Sequence, residues 1–196
     1  MKRPMLGLAL CGGASRRMGE SKALLEIRPG LTQLAYALEL LDSVCEDVAV
    51  GIGPVPRSEF DLSVSVAIIL DAPDTRGPMA GVIAGLRHAT GRPMLVIACD
   101  MPYLEPSLLV QLVNRRDASQ LATAFVATDG SPDPMCAIYE SASLATLEAL
   151  AKEGKSSLRR FLLESPVERI PLDRPELLAS VNDRRELDEA RRRLAH

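Results

Sequence analysis

Aromatic residues are scarce in this sequence, which has three phenylalanines, three tyrosines and no tryptophan among 196 residues. Proteins that stack exposed bases on aromatic rings need more of these side chains, so we expect no platform for single-stranded nucleic acid. Basic residues are not in excess either, because the formal net charge is -3. Any anion site must therefore be a local feature, and we expect neither nucleic acid nor a membrane surface as a partner.

Histidine and cysteine usage excludes further kinds of site. The only histidines are His88 and His196, so a catalytic triad built on histidine is not expected. The four cysteines lie far apart and form no CxxC pair, which argues against a zinc site or a disulfide scaffold. Reduced thiols are typical of the cytoplasm, and we predict a cytoplasmic protein.

Long apolar segments are also missing, and no stretch is long enough to span a bilayer. The N-terminal "MKRPMLGLALC" has the positive charges and the cysteine of a bacterial secretion signal. Its apolar run is short, however, Pro4 interrupts the start, and the bulky Leu10 stands where a small residue is expected before cleavage. We therefore interpret this stretch as part of the fold.

Apolar runs alternate with helix-period segments along most of the chain, which predicts crossover helices around a parallel sheet. The predicted strands are "MLGLALC", "DVAVGIG", "VSVAIIL", "PMLVIACD", "LATAFVA" and "MCAIYES". The predicted helices are one with Leu31, Leu34, Leu38 and Leu41 on one face, one opened by Pro78, and others at 105–115, 142–152, 156–163 and from Asp183. We predict a Rossmann-like three-layer α/β/α sandwich with a mostly parallel central sheet, formed by residues 1–196 as a single domain.

The first predicted strand runs into a stretch rich in glycine and arginine, "LALCGGASRRMGESK" at residues 8–22. Glycines between a strand and a helix let backbone N–H groups converge on an anion, and arginine and lysine add charge suited to phosphate. The candidate phosphate-binding residues are Gly12, Gly13, Arg16, Arg17 and Lys22. Their spacing fits neither a Walker A loop nor a GxGxxG fingerprint. The stretch therefore predicts a phosphate site of another kind.

The extended string "LCGGASRRMGESKALL" resembles the signature loop of the molybdenum cofactor guanylyltransferases, the bacterial MobA family. Further stretches match that family in order: "DAPDTRGPMAGVIAGL", "CDMPYL", "DPMCAIYE" and "SVNDRREL". The resemblance covers nearly the whole chain. It implies transfer of GMP from GTP to the terminal phosphate of molybdenum-molybdopterin, with release of pyrophosphate. It also implies GTP and the molybdopterin cofactor as substrates, with a molybdoenzyme or its chaperone as a further partner.

The resemblance also implies roles for individual residues. The implied nucleotide-binding residues are Leu10, Cys11, Gly12, Gly13, Lys22, Asp71, Gly77, Pro78, Gly81 and Asp100, and the implied catalytic residues are Lys22, Arg16, Arg17 and Asp100. Asp71 would bind the base, because a carboxylate can accept from the ring N–H and the exocyclic amine of guanine. Asp100 would be the ligand of Mg²⁺, which takes one or two carboxylates together with phosphate oxygens. Asn182 would lie on the pterin side.

Four positions depart from the residues usual in that family. Cys11 replaces alanine, Ser21 replaces aspartate, and Gly51 and Ser180 each replace asparagine. These changes weaken the prediction of guanine recognition and pterin handling, but they leave the phosphate and metal residues intact. The alternatives are the cytidylyltransferase of the same cofactor, a sugar-phosphate nucleotidyltransferase, and a non-catalytic module that binds nucleotide or cofactor for delivery.

Cys11 and Cys99 both fall at the ends of predicted strands, near the carboxyl edge of the predicted sheet. One hypothesis is that they make the site sensitive to oxidation. The other is that they are small buried apolar residues, which is the usual role of a free cysteine in a core.

Overall fold

The computed structural model describes residues 2–11, 22–53 and 66–194. The strands in this part of the chain are β1 (Arg3–Leu10), β2 (Glu26–Arg28), β3 (Leu31–Thr32), β4 (Cys45–Ile52), β5 (Ala67–Leu70), β6 (Met94–Ala98), β7 (Ala122–Val126), β8 (Pro132–Tyr139) and β9 (Val167–Pro171). The helices are α1 (Gln33–Asp42), α2 (Pro78–Ala89), α3 (Pro106–Asn114), α4 (Ser143–Lys152), α5 (Leu158–Glu164) and α6 (Arg184–Leu194). Short 3-10 turns cover Lys22–Leu24 and Pro175–Leu178.

Seven strands form the central sheet, in the order β5-β4-β1-β6-β8-β7-β9. Neighbouring strands are parallel except at β8, which runs antiparallel to both β6 and β7. The remaining two strands, β2 and β3, pair as a separate antiparallel hairpin. The predicted mostly parallel sheet is confirmed.

Helices cover both faces of this sheet. One apolar cluster includes Leu41 of α1 and Leu109 of α3, and the cluster on the other face includes Val82 of α2, Leu147 of α4 and Phe161 of α5. The central strand β6 is buried along its whole length, as expected for a parallel strand covered on both sides. The three-layer α/β/α prediction is therefore confirmed.

Helix α1 begins later than its apolar pattern predicts. Leu31 was predicted on the helix, but it lies in β3 and pairs with Arg28. The reason is the residue that follows, because the Thr32 side chain accepts a hydrogen bond from the Ala35 backbone N–H at 3.1 Å and caps the helix. Helical geometry consequently starts at Gln33.

Sequence reasoning missed the β2–β3 hairpin, the edge strand β9 and the start of β8. The edge strand β9 carries charged and exposed residues in its "VERIP" sequence, so it lacks the continuous apolar run by which the central strands were predicted. Strand β8 starts at Pro132, ahead of the predicted "MCAIYES". Part of the predicted strand "VSVAIIL" lies outside the described residues, and the described part forms β5.

The longest helix in the described part of the chain is α2, with 12 residues. Among the helices described, none combines the length and the apolar character that a membrane span requires.

Candidate active site

The carboxyl ends of β5, β4, β1 and β6 lie at one edge of the sheet. Their registers align Leu70 with Ile52, and Leu10 with both Gly51 and Ala98. By this register, Asp71 and Asp100 lie at about the same height beyond the strand ends. Three strand spacings separate them, which amounts to about 14 Å. An elongated ligand laid across β4 and β1 at this edge would have one carboxylate at each end.

Several predicted phosphate-binding residues cannot be placed at this edge. Gly12, Gly13, Arg16 and Arg17 lie outside the described residues, as does Ser21, and their roles stay predictions. The part of β1 that precedes them is described.

Leu10 ends β1, and Cys11 extends the strand's ladder by one residue. Both residues are buried. The Cys11 backbone N–H donates to the carbonyl of Gly51 at 2.8 Å, and the Leu10 carbonyl accepts from the Cys99 N–H at 3.1 Å. The backbone at the end of β1 is therefore held from both neighbouring strands.

Lys22 begins the 3-10 turn that follows the undescribed loop. Its ammonium donates to the backbone carbonyl of Val181 at 3.3 Å and to Oδ1 of Asn182 at 3.4 Å. Its own carbonyl accepts from the Gln33 side-chain amide at 2.9 Å. These acceptors are neutral, so they hold the lysine in place without cancelling its charge.

Asp100 lies just beyond β6 and is partly buried. Burial raises the pKa of its carboxyl above the ordinary value, and the nearby Lys22 charge and Ser180 hydroxyl offset part of that rise. The Asp100 carbonyl accepts from the Val181 backbone N–H at 2.9 Å. Lys22 and Asp100, which are far apart in sequence, are thus brought together at one end of the sheet edge.

Asp100 is not part of a cluster of metal-ligating side chains among the described residues. In residues 2–11, 22–53 and 66–194, no group of three or more His, Cys, Asp or Glu side chains could hold a metal ion. A partly buried carboxylate with a raised pKa is nevertheless suited to gain a cation. Asp100 therefore fits a hard divalent ion such as Mg²⁺ if phosphate oxygens and water supply the other ligands.

Asp71 lies at the opposite end of this edge, directly after β5. Its backbone N–H donates to the Ile52 carbonyl at 3.1 Å, which continues the β4–β5 ladder. Burial raises the pKa of its carboxyl above the ordinary value. The side chain is close to helix α2, since a Cβ on Gly81 would lie 3.2 Å from Oδ1 of Asp71.

Helix α2 begins beside Asp71. Gly77 precedes it with a φ of 66°, a backbone conformation that favours glycine. Pro78 occupies the first turn, where its missing N–H costs no helical hydrogen bond. The turn between β5 and α2 is held against the helix by a hydrogen bond from the Ala72 N–H to the Ala80 carbonyl at 3.1 Å. Gly77, Pro78 and Gly81 thus lie at the Asp71 end of the edge, and their role in nucleotide binding stays a prediction.

Two glycines of α2 allow a matched test of this end of the site. A Cβ on Gly81 would lie 2.5 Å from Cδ2 of Leu10, whereas a Cβ on Gly85 would lie 2.5 Å from Sδ of Met94 and 2.6 Å from Cδ2 of Leu8. Overpacking costs about 1–3 kcal/mol, and alanine's helix propensity offsets about 1 kcal/mol. We expect Gly81→Ala and Gly85→Ala to lower the melting temperature by similar small amounts.

If the Asp71 end binds the nucleotide, as the resemblance implies, only Gly81→Ala should also change nucleotide binding, because only it displaces Leu10 and Asp71. We expect the KM for the nucleotide to rise about tenfold, the equivalent of about 1.4 kcal/mol. Steady-state kinetics of both variants measure this difference. Equal KM values for the two variants would show that the Asp71 end does not bind the nucleotide.

The two cysteines near the Lys22 end of the edge are both buried. The Cys11 Sγ donates to the Ala9 carbonyl at 3.9 Å. The neighbouring Cys11 side chain and burial raise the pKa of the Cys99 thiol well above its ordinary value, which disfavours the reactive thiolate. The structure favours the role of small buried residues, and sensitivity to oxidation stays a prediction.

Sequence reasoning missed one residue that supports the site. Gln33 is buried, at 1% exposure, and its amide holds the Lys22 carbonyl. The available signal was its position, because Gln33 lies one helical turn before Ala37 on the buried face of α1. A buried glutamine at that place requires hydrogen-bond partners.

The chain is similar to known proteins over most of its length. The family model described as "MobA-like NTP transferase domain" matches residues 7–169. A "Probable molybdenum cofactor guanylyltransferase" from Mycobacterium avium is 33% identical over 195 residues, which cover 95% of this chain and 96% of that protein. A "Molybdenum cofactor biosynthesis bifunctional protein" from Synechocystis sp. is 32% identical over 142 residues, or 72% of this chain, but the match spans only 40% of that longer protein.

A solved structure shows the same fold. The crystal structure of "Molybdopterin-guanine dinucleotide biosynthesis protein A" from Archaeoglobus fulgidus superposes with a TM-score of 0.78 at 21% sequence identity. The superposition covers 97% of this chain and 99% of that one.

Proposed function

Because the chain belongs to the MobA-like NTP transferase family and is a nucleotidyltransferase, we propose that it transfers GMP from GTP to the terminal phosphate of molybdenum-molybdopterin. The observation that carries this proposal is the arrangement of the sheet edge. Lys22 and Asp100 converge at one end, and Asp71 lies at the same height about 14 Å away, three strand spacings along the sheet. A nucleotide laid along this edge would place its base near Asp71 and its phosphates near Lys22.

The reaction itself is a single displacement. An oxygen of the acceptor phosphate attacks the α-phosphorus of GTP, the bond between that phosphorus and the bridging oxygen to the β-phosphate breaks, and pyrophosphate leaves. Positioning and charge neutralisation are sufficient for such a transfer, and no covalent enzyme intermediate is needed. Lys22 would neutralise charge at the α-phosphate and on the leaving pyrophosphate, because its described hydrogen-bond partners leave its positive charge uncancelled.

Asp100 would hold Mg²⁺ together with phosphate oxygens. The bound ion would supply electrostatic stabilisation of the charge that develops on the phosphates. The carboxylate's partial burial supports this assignment, since a cation would favour its ionised form. Gly12, Gly13, Arg16 and Arg17 would complete the phosphate site, on the strength of their match to the family's loop.

Asp71 would select guanine by accepting from two N–H groups of the base. We expect Asp71→Asn to lower kcat/KM for GTP about 10- to 100-fold, because a charge-assisted hydrogen bond contributes about 1.5–3 kcal/mol. The variant should leave the slow turnover of CTP nearly unchanged. The measurement is pyrophosphate release with molybdopterin cofactor, Mg²⁺ and each nucleoside triphosphate in turn. Asp74→Asn, an exposed change in the same turn, is the matched control.

The same panel tests the proposed function. Turnover of GTP above all others supports it. Turnover of CTP alone would assign the cytidylyltransferase reaction instead, turnover with a sugar phosphate as acceptor would assign that class, and tight GTP binding without turnover would assign a delivery module. Unchanged selectivity in Asp71→Asn would remove Asp71 from base recognition.

Further assignments remain proposals. Asn182 would lie on the pterin side, and its exposed position beside Lys22 supports this. We also propose that residues 1–196 form one domain and that the enzyme works in the cytoplasm, which its four free cysteines support. Product would pass to a molybdoenzyme or its chaperone.

A further inference from the structure

Three consecutive residues, 180–182, connect Lys22 with Asp100, and we name them the bridging segment. The Ser180 hydroxyl interacts with the Asp100 carboxylate. The Val181 N–H donates to the Asp100 carbonyl at 2.9 Å, while the Val181 carbonyl accepts from the Lys22 ammonium at 3.3 Å. Oδ1 of Asn182 accepts from the same ammonium at 3.4 Å. Of these three residues, only Val181 contacts both Lys22 and Asp100, and it does so through its backbone.

The Val181 side chain anchors this segment. It is 2% exposed and packs in a small apolar cluster with Ile27 of the β2–β3 hairpin and with Leu187 and Ala190 of α6. This cluster is separate from the two that cover the central sheet. The position of the Val181 backbone therefore depends on the docking of α6.

Polar contacts at the start of α6 hold the segment from the other side. The Asn182 N–H donates to Oε2 of Glu186 at 2.6 Å, and the Glu186 N–H donates to Oδ1 of Asp183 at 2.8 Å. These reciprocal contacts fix the entry of the chain into the helix, as in a capping box.

Helix α6 also holds the segment that carries Lys22. The Arg191 Nε donates to the Glu26 carbonyl at 2.9 Å, and Glu26 begins the strand that follows the Lys22 turn. Helix α6 therefore contacts the strand that follows Lys22. It also packs against Val181, whose carbonyl accepts from the Lys22 ammonium.

We propose that Val181 is a positioning residue, which fixes the Lys22 ammonium relative to Asp100 for the transfer step. This inference rests on the proposed function. Lysine has a long stem with several rotatable bonds, so an unrestrained ammonium samples many positions. A fixed acceptor restricts it before substrate binds, which removes that ordering cost from the chemical step. The effect belongs in kcat rather than in nucleotide affinity.

The test compares two identical deletions. Val181→Ala loosens the bridging segment, and Val44→Ala removes the same atoms from another buried valine, 7% exposed, next to the amino end of β4 and at the opposite edge of the sheet. We expect Val181→Ala to lower kcat about tenfold with KM for the nucleotide unchanged, since small misplacements of catalytic groups are costly. Val44→Ala should lower the melting temperature without lowering kcat. Val181→Ile, which keeps the anchor, should retain kcat.

A double-mutant cycle with Lys22→Met separates positioning from general loosening. If Val181 acts through Lys22, the loss caused by Lys22→Met must be smaller in the Val181→Ala background than in the wild type. Additive losses in kcat, or an equal kcat loss in Val44→Ala, would overturn the proposal. The cycle uses whichever nucleoside triphosphate the wild type turns over. It therefore tests the role of Val181 even if the enzyme does not prefer GTP.

A second readout needs no turnover. The Lys22 amine is acetylated with a small reagent and its labelling rate is compared by mass spectrometry with that of Lys152, on the distant helix α4. Val181→Ala should raise the Lys22-to-Lys152 ratio, and Val44→Ala should leave it at the wild-type value. An unchanged ratio in Val181→Ala would overturn the proposal even if the enzyme proved to be a binding module.

Discussion

Replacing Asp100 with asparagine is expected to reduce turnover by about 10³-fold or more, because loss of a metal ligand removes several kcal/mol of charge stabilisation and each 1.36 kcal/mol is tenfold in rate. The residue lies at the carboxyl edge beside Lys22. Steady-state pyrophosphate release at saturating GTP and Mg²⁺ measures the loss.

The same substitution should leave the fold intact. Burial raises the pKa of Asp100, so the ionised carboxylate is disfavoured in the folded protein, and a neutral amide of the same size removes that cost. We expect the melting temperature of Asp100→Asn to be no lower than that of the wild type. Glu105→Gln is the matched control. Glu105 lies in the same β6–α3 connection, and its exposed carboxylate pairs with Arg174. A folded Asp100→Asn enzyme with near-native turnover would remove Asp100 from the site.

Replacing Lys22 with methionine is expected to lower kcat by about 10²- to 10³-fold, the usual loss for one preorganised group that stabilises transition-state charge. Methionine keeps a stem of similar length but carries no charge. The effect on KM should be smaller, because the lysine's neutral partners, Val181 and Asn182, hold it ready for charge that develops during transfer. Single-turnover kinetics separate the chemical step from nucleotide binding.

The matched control for this charge removal is Arg28→Met in the neighbouring strand β2. Arg28 lies over the Tyr36 ring, with 6.0 Å between its guanidinium carbon and the ring centroid, and it has no place in the proposed phosphate site. Its loss should change kcat less than twofold, as is usual for surface changes that remove no transition-state contact. Lys22→Arg should restore only part of the activity, because a planar guanidinium does not occupy the position of a compact ammonium. Equal losses in Lys22→Met and Arg28→Met would contradict a specific role for Lys22.

The central sheet could be predicted because its strands are apolar on nearly every residue. Strand β6 shows this pattern clearly, and continuous burial on both faces produces it. The start of α1 could not be predicted from apolar spacing alone, since Leu31 fits the helical pattern but Thr32 caps the helix after it. Strand β9 could not be predicted in this way, because an edge strand with exposed charged residues has no such apolar run.

The positions of Asp71 and Asp100 could also be predicted, because the carboxyl ends of parallel strands meet at one edge. The contact between Lys22 and Val181 could not. It joins residues 159 positions apart through a backbone carbonyl, and any residue type supplies such a carbonyl. Ser180 shows a similar limit: its departure from the family's asparagine was visible, but its contact with Asp100 depends on the docking of α6.

Measuring the transfer of labelled GMP from GTP to molybdopterin tests the account most directly. GTP labelled at the α-phosphorus is incubated with the enzyme, Mg²⁺ and molybdopterin cofactor, and the products are separated and identified by mass. The account predicts that the label enters a guanine dinucleotide of the cofactor in one-to-one ratio with released pyrophosphate, only when molybdopterin is present, and never remains bound covalently to the protein. Label on the enzyme, or pyrophosphate release without a labelled dinucleotide, would contradict direct transfer at this site.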